Sequence, residues 1–322
     1  MPRIAPDLFD QIVWPLTETS GAYRNVGALF PNDPATDLSI TNTVVRTGSG
    51  LFSGNSIWLP SATDYPAGSA ATRNYIAGAK TFNPAPPFTV SCWVHLRAYT
   101  TAQNTSLIRK EYRDSSLVSS WTTPFQSIGI TTLTTNGGGD WQVNIGTNNT
   151  TQVVFTVTDF LIPLGVWSHI GFTHDGSNIR LYLNGCQCMF YSGATQFLTQ
   201  TCAAPSYTDG GSGGFGNWSI GAITATGSTN KEEPNANIQD VRISNVVRPL
   251  SYFKNIYYAG ALPLRSGGFA SAQYFKLRAY DTSCVTPTAV TWVDTQVSLA
   301  NAPPFPCSGP YTTPEVLDTW YT

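Results

Sequence analysis

Residues 165–185 read GVWSHIGFTHDGSNIRLYLNG, and the way this stretch folds decides the architecture. The run before Asp175-Gly176 is rich in Ile, Phe, Thr and Trp, and the run after it alternates apolar and polar residues. That is the pattern of two strands around a tight turn. His169 and His174, two of the chain's three histidines, fall five positions apart in the first strand. Successive strand side chains point to opposite faces, so an odd separation sends the two imidazoles apart. One zinc ion would need its ligands on one side at about 2 Å, and no Cys, Glu or third His stands nearby to complete the set. We therefore read His169 as a packed framework residue beside Trp167 with one ring nitrogen hydrogen-bonded. His174 and Asp175 read as the lead into a DGSN turn.

The rest of the composition points the same way. Charged residues are 11% of the 322, the formal net charge is -2, and there are 28 Gly, 22 Pro and 12% aromatics. Polarity is carried by Thr, Ser, Asn and Gly, which favours short strands and many turns over long helices. The fold class we expect is all-β. No run of Lys or Arg exceeds the pair Arg109-Lys110, so phosphate backbones find no basic face and nucleic acid is not an expected partner. The opening MPRIAPDLFDQIVWPL lacks the apolar core of a signal peptide, and no stretch of about 18 apolar residues exists to span a membrane. Of the six cysteines, Cys92, Cys186, Cys188, Cys202, Cys284 and Cys307, one lies inside an apolar strand and Cys186-Gln187-Cys188 is too tight for an ordinary bridge. Free, buried thiols are the expectation, with a Cys284–Cys307 pair as the alternative.

Along the chain, FDQIVWPLTETSG gives a first strand and turn. In VVRTGSGLFSGNSIWLPSA, Leu51-Phe52 and Ile57-Trp58-Leu59 read as a hairpin around SGNS, and about 61–80 reads as a loop insertion. The clearest strand is FTVSCWVHLRAY, with Phe88, Val90, Cys92, Val94 and Leu96 on one face and Trp93 and His95 on the other, both faces covered. Further strands are expected in SLIRKEYR, FQSIGITTLTT, WQVNIGT and TQVVFTVTDF, then in WSIGAIT and NIQDVRISNVV. A short helix is expected in PLSYFKNIYYAG, with Pro249 near its start. The loop GGSGGFGN lacks the Lys-Ser/Thr ending of a phosphate-binding loop and precedes a strand, so it reads as a connection. Turn signals about every ten residues are those of a sandwich.

In that order, IVWPLTETSG, GSGLFSGNSIWLP, FTVSCWV, GVWSHIGFTHDGSNIRLYLNG, WSIGA and NIQDVRISNVVRPLSYFKNIY resemble the landmarks of the laminin-G-like branch of concanavalin A-like jelly rolls, over roughly residues 8 to 258. The resemblance implies a concanavalin A-like antiparallel β-sandwich jelly roll in residues 1–260. Residues 261–322 read as a C-terminal extension of two strands, in QYFKLRAYD and TAVTWVDTQVS, and a Pro- and aromatic-rich tail. It implies that Trp93, Trp167, His169, Leu181 and Leu183 are framework residues. Ala236-Asn237 stands where the family commonly has a Gly, and the extension is surplus to the family's pattern.

Glucan-hydrolysing relatives use a pair of carboxylates. Here Glu18, Glu111, Glu232, Glu233 and Glu315 offer no strand-borne pair, and neither His169 nor His174 follows a nucleophile elbow, so we expect no enzyme and no metal or other cofactor. Calcium, which the resemblance brings with it, takes roughly six to eight oxygens, and Asp140, Asp159, Asp209 and Asp240 stand singly. Sugar binding, also implied by the resemblance, needs an exposed aromatic beside amides and hydroxyls. Trp121, Trp141 and Trp218, at strand edges or beside Gly-rich loops, are the candidates, and plugging the ends of the sandwich is the alternative for each. With no secretion signal and a low-charge surface, the module resembles virion accessory proteins of tailed bacteriophages, capsid decorations or head or tail fibres. These are made in the host cytoplasm and reach the virion by assembly. Expected partners are other virion proteins of capsid or tail, further copies of the chain, and surface glycans; a secreted or cell-surface lectin-like adhesin is the alternative. In the tail, Phe305, Tyr311, Trp320 and Tyr321 are the expected assembly contacts, with packing against the chain's own sandwich as the alternative.

Overall fold

The computed structural model describes residues 5–28, 33–41, 45–47, 50–52, 55–59, 75–79, 81–99, 104–112, 126–133, 139–148, 151–207, 216–221 and 234–261. Its strands run β1 (Asp10–Trp14), β2 (Leu38–Thr41), β3 (Val45–Thr47), β4 (Ser56–Leu59), β5 (Tyr75–Gly78), β6 (Phe88–Leu96), β7 (Asn104–Glu111), β8 (Gln126–Leu133) and β9 (Trp141–Gly146). They continue with β10 (Gln152–Val157), β11 (Trp167–His174), β12 (Asn178–Leu183), β13 (Cys186–Cys188), β14 (Phe190–Ser192), β15 (Thr195–Phe197), β16 (Gln200–Thr201), β17 (Trp218–Gly221) and β18 (Ala236–Ser244). A single α-helix among the described residues, α1 (Leu250–Ala261), follows, and a 3-10 turn, Pro34–Thr36, precedes β2.

Among the described residues two nine-stranded sheets form. One has the order β13-β12-β11-β6-β18-β4-β3, with β1 also on β18 and β16 on β12; the other runs β15-β14-β10-β9-β8-β7-β17-β5-β2. Long-range antiparallel pairs such as β6 with β18 and β7 with β17 interleave the two ends of the chain, as a jelly roll requires. Alternation fixes which side chains meet. Phe88, Val90, Cys92, Val94 and Leu96 of β6, Ile170 and Phe172 of β11, and Ile179, Leu181 and Leu183 of β12 face the second sheet. There they join Ile128, Ile130, Trp141, Val143, Ile145, Phe155, Val157, Trp218 and Ile220 in one core.

The quoted hairpin behaves as read. β11 pairs with β12 and β6, and every residue of β11 is buried. His174 stacks on the core ring of Phe88, centroids 5.5 Å apart at 10°, whereas His169 lies on the opposite face against Trp93 and Phe253. Asp175 closes the turn by accepting from the backbone N–H groups of Ser177 and Asn178 at 2.9 and 2.7 Å. Gly176, at φ +103°, supplies the left-handed residue.

Helix α1 covers the outer face of the first sheet. Phe253 stacks on Tyr182 at 3.9 Å, and Ile256 and Tyr257 join Leu51, Phe52, Trp93 and Trp167 in a second apolar cluster. Gly260 is required there, since a Cβ would sit 2.2 Å from the Trp93 ring. The β6 strand is thus buried on both faces, as its sequence foretold. Replacing Trp167 by Ala empties much of this second cluster, and we expect a loss of about 3–4 kcal/mol, read as a lower urea midpoint with an unchanged slope.

Three expectations are corrected. The partner of β4 is Val45–Thr47, not Leu51-Phe52, which form a turn held by their backbone N–H groups donating to Gln239 Oε1. The stretch at about 61–80 is not all loop, because β5 pairs there with β17 and β2. His169 has neither ring nitrogen hydrogen-bonded among the described residues, rather than one; its ring packs against those of Trp93 and Phe253.

Candidate functional site

The second sheet carries its core residues on one face, so their sequence neighbours form the other. Phe190 of β14 is buried edge-on against Phe155, centroids 5.5 Å apart at 89°, and alternation turns Tyr191 outward. The register then aligns one outward row across five strands: Thr131 opposite Gln142, Gln142 opposite Thr156, Thr156 opposite Tyr191, and Tyr191 opposite Gln196. Thr131 is buried, while Gln142, Thr156, Tyr191 and Gln196 are all partly exposed. From Gln142 to Gln196 the row crosses three inter-strand steps, roughly 14 Å.

Each end is fixed by hydrogen bonds. Gln196 Nε2 donates to Asp159 Oδ2 at 2.6 Å, which ties the exposed carboxylate of the β10–β11 connection to the tip of the β14–β15 hairpin. That hairpin turns at Gly193, φ +63°. At the other end, Gln142 Nε2 and Gln152 Nε2 both donate to Asn144 Oδ1, at 3.3 and 3.0 Å, and Asn144 Nδ2 donates to Thr131 Oγ1 at 3.3 Å. The face therefore holds a half-exposed phenol ring between amides, a hydroxyl and one carboxylate. An aromatic face takes the C–H side of a pyranose, and paired amides and hydroxyls match the donors and acceptors of its ring substituents.

The sequence candidates fare differently. Trp141 and Trp218 are fully buried and cannot stack on a sugar. Each is the first residue of its strand facing the core, with its Nε1 donating to a loop carbonyl, Phe160 O at 3.1 Å and Phe82 O at 2.9 Å respectively. They are the plugs that the alternative reading supposed. Trp121, Phe305, Tyr311, Trp320 and Tyr321 lie outside the described residues. The residues that do form the row, Tyr191 and Gln196 above all, escaped the sequence reading. The signal was the pair Phe190 and Phe197 bracketing Ser192-Gly193-Ala194-Thr195, the pattern of a tiny hairpin.

Burial pushes His169 down to about 3, with Arg242 adding to the effect. Burial also lowers His174, against its Nε2 contact with Ala203 O; Gly176 N–H donates to its Nδ1, so Nε2 carries the proton. Glu18 accepts from Arg24 N–H, Glu111 is buried in β7, and Glu232, Glu233, Glu315 and Asp209 fall outside the described residues. Among the described residues no group of three or more His, Cys, Asp or Glu is placed to hold a metal ion. Cys92, Cys188 and Cys202 are buried free thiols, and burial raises all three, Cys202 to about 12. Cys186 departs from the expectation of free thiols: it is disulfide-bonded; Cys284 and Cys307 lie outside the described residues.

The family model described as the concanavalin A-like lectin/glucanases superfamily matches residues 69–251. The chain belongs to this superfamily. Among solved structures, the binding domain of botulinum neurotoxin serotype D is similar at a TM-score of 0.51 and 10% identity, covering 79% of this chain and 52% of that one. A Trypanosoma rangeli sialidase in complex with sialic acid is similar at 0.47 and 10%, covering 79% and 33%. Domain 4 of an extracellular arabinanase from Geobacillus stearothermophilus, in complex with arabinotriose, is similar at 0.46 and 14%, covering 77% and 98%. The chain thus spans about half of the toxin domain and a third of the sialidase, and at these identities the likeness concerns the fold alone. No curated protein matches the sequence significantly. Within the superfamily's sandwich, the outward row lies across β9, β10, β14 and β15, away from α1 and the buried histidines.

Proposed function

We propose that the chain is a non-enzymatic, glycan-binding member of the superfamily, displayed on a tailed-phage particle as a capsid decoration or a head or tail fibre. The observation that carries glycan binding is the half-exposed row Gln142, Thr156, Tyr191 and Gln196 with Asp159 at its end. The non-enzymatic reading is supported by the single carboxylate in that row, where glycoside hydrolysis uses two flanking the scissile bond. The virion reading is supported by the 11% charged composition and by the Pro- and aromatic-rich residues 261–322. These lie beyond the matched region and suit attachment to capsid or tail proteins or to further copies of the chain.

A glycan array probed with the purified chain tests the binding. We expect a restricted set of oligosaccharide hits, unchanged by EDTA, and at least about tenfold weaker binding for Tyr191→Ala at undiminished thermal stability. An empty array, or full binding by the variant, contradicts the site. Immunogold labelling of purified particles tests the display; its absence from particles contradicts the virion reading and leaves the glycan reading standing.

A further inference from the structure

The charge around this row is one-sided. Arg180 is the only Lys or Arg between Arg113 and Lys231 in the sequence, and it belongs to β12 of the other sheet, where its guanidinium is bound to Asp175 at 3.0 Å. The strands that build the row, β8, β9, β10, β14 and β15, therefore contain no cation, and Arg109 of β7, opposite Gly129 on the same outward face, is itself buried. Among the described residues of these strands and their connections, the exposed charge is the Asp159 carboxylate of the β10–β11 connection, held at the edge of the row by Gln196. Recognition of a carboxylated or sulfated sugar calls for a guanidinium or ammonium partner, and Arg is the usual one because its fork matches the anion. Here an anionic substituent would approach a carboxylate instead, and like charges brought together in a partly desolvated site are disfavoured.

We infer that the row accepts neutral glycans, read through their hydroxyl groups, and rejects the sialylated, uronic or sulfated counterparts. This inference rests on the glycan-binding reading of the same site and gives it a specificity. Asp159 is the specificity-determining residue. The oxygen that takes the Gln196 amide, at 2.6 Å, is held in place, and the carboxylate presents its remaining lone pairs to solvent. Two adjacent sugar hydroxyls can donate to such a group, as hydroxyls do to an ionised carboxylate. Tyr191, directly opposite Gln196 on the neighbouring strand, stacks on the ring that carries them. The same carboxylate both draws hydroxyl donors and repels anions, so affinity and discrimination share one origin.

The test is calorimetric titration of the full chain with matched pairs, each a neutral oligosaccharide that scored on the array and its sialylated or uronic counterpart. The expected result is that the neutral member binds and the anionic member is weaker by about tenfold or more, the gap narrowing as salt rises. Asp159→Asn keeps the partner for Gln196 but removes the charge. It is expected to weaken the neutral member several-fold and to reduce the discrimination to near unity, with an unchanged melting temperature. Equal or tighter binding of the anionic members overturns the inference while leaving the site intact, provided that Tyr191→Ala still weakens binding about tenfold or more. Undiminished discrimination in Asp159→Asn overturns the role of Asp159. Binding that is selective for neutral sugars but indifferent to Tyr191→Ala moves the site elsewhere and overturns both readings.

Discussion

Replacing Arg242 by Met lowers the folding stability by about 3–5 kcal/mol, because it strips a guanidinium from beside buried carboxylates. Arg242 is 1% exposed; its Nε donates to Asp240 Oδ2 at 2.9 Å and its NH1 lies 3.5 Å from Asp10 Oδ2. Asp10 also holds Arg248 at 2.7 Å and the Ser244 hydroxyl at 2.7 Å, while Arg248 forks onto Asp7. This network stitches β1 and α1's leading segment to the middle strand β18, on the outer face of the first sheet. Asp240 itself sits at φ +51°, where β18 bulges against Pro15. Its conformation and its charge are therefore both spent on holding Arg242. The variant leaves Asp240, 1% exposed, without that counter-charge. Adding Asp240→Asn to Arg242→Met removes the stranded charge and is expected to restore a large part of the loss, a coupling readable in a double-mutant cycle of urea unfolding. Additive losses in the cycle would show that the two side chains do not act as a pair.

Acid weakens the fold, and His169 sets the window. Its folded value of about 3 lies below the ordinary 6.5 because burial against Trp93 and Phe253 disfavours the imidazolium. The unfolded chain takes up this proton below pH 6.5 and the folded chain does not. The stability is fully present above pH 6.5 and falls by about 1.4 kcal/mol per pH unit until the folded group titrates, reaching roughly 4 kcal/mol near pH 3. His174, lowered by its own burial, acts with the same sign. Asp175 adds a loss lower down: burial alone would raise it, but the N–H groups of Ser177 and Asn178 and the Arg180 contact hold it at about 2. Its contribution is present above pH 3.8 and lost as the pH falls toward 2. His169→Leu removes a ring whose nitrogens have no partner among the described residues. We expect the variant to match the parent at pH 7.5 and to exceed it by about 2 kcal/mol at pH 5, measured as urea midpoints across pH. Parallel curves for the two proteins would place His169 in a wetter setting than the structure gives it.

The fold was legible wherever a strand was long enough to show a period. Phe88–Leu96 displayed two covered faces in its letters, and the DG turn with its flanking strands fixed the register that parts His169 from His174. Leu51-Phe52 misled because two adjacent apolar residues fit a strand or a turn equally, and only Gln239, nearly two hundred positions away, makes them a turn. The site was less legible for two reasons. Trp141 and Trp218 stand at strand starts beside glycine-rich stretches, where sequence cannot tell a rim platform from a plug; the facing of Val143 and Ile220 toward the core decides it. Tyr191 and Gln196 sit in strands of three residues, too short for alternation to announce itself. What makes them a site is their alignment with Gln142 and Thr156, strands that pair with them only in the folded sheet.

The central claim is that sugar is held on the outward row of the second sheet. Chemical-shift mapping of the isotopically labelled chain, titrated with a neutral oligosaccharide selected on the array, tests this most directly. The account predicts saturable shifts at Gln142, Thr156, Asp159, Tyr191 and Gln196, with Arg180 and Tyr182 on the other sheet unmoved. Shifts centred on Arg180, Tyr182 and the helix surface, with the row silent, would contradict it.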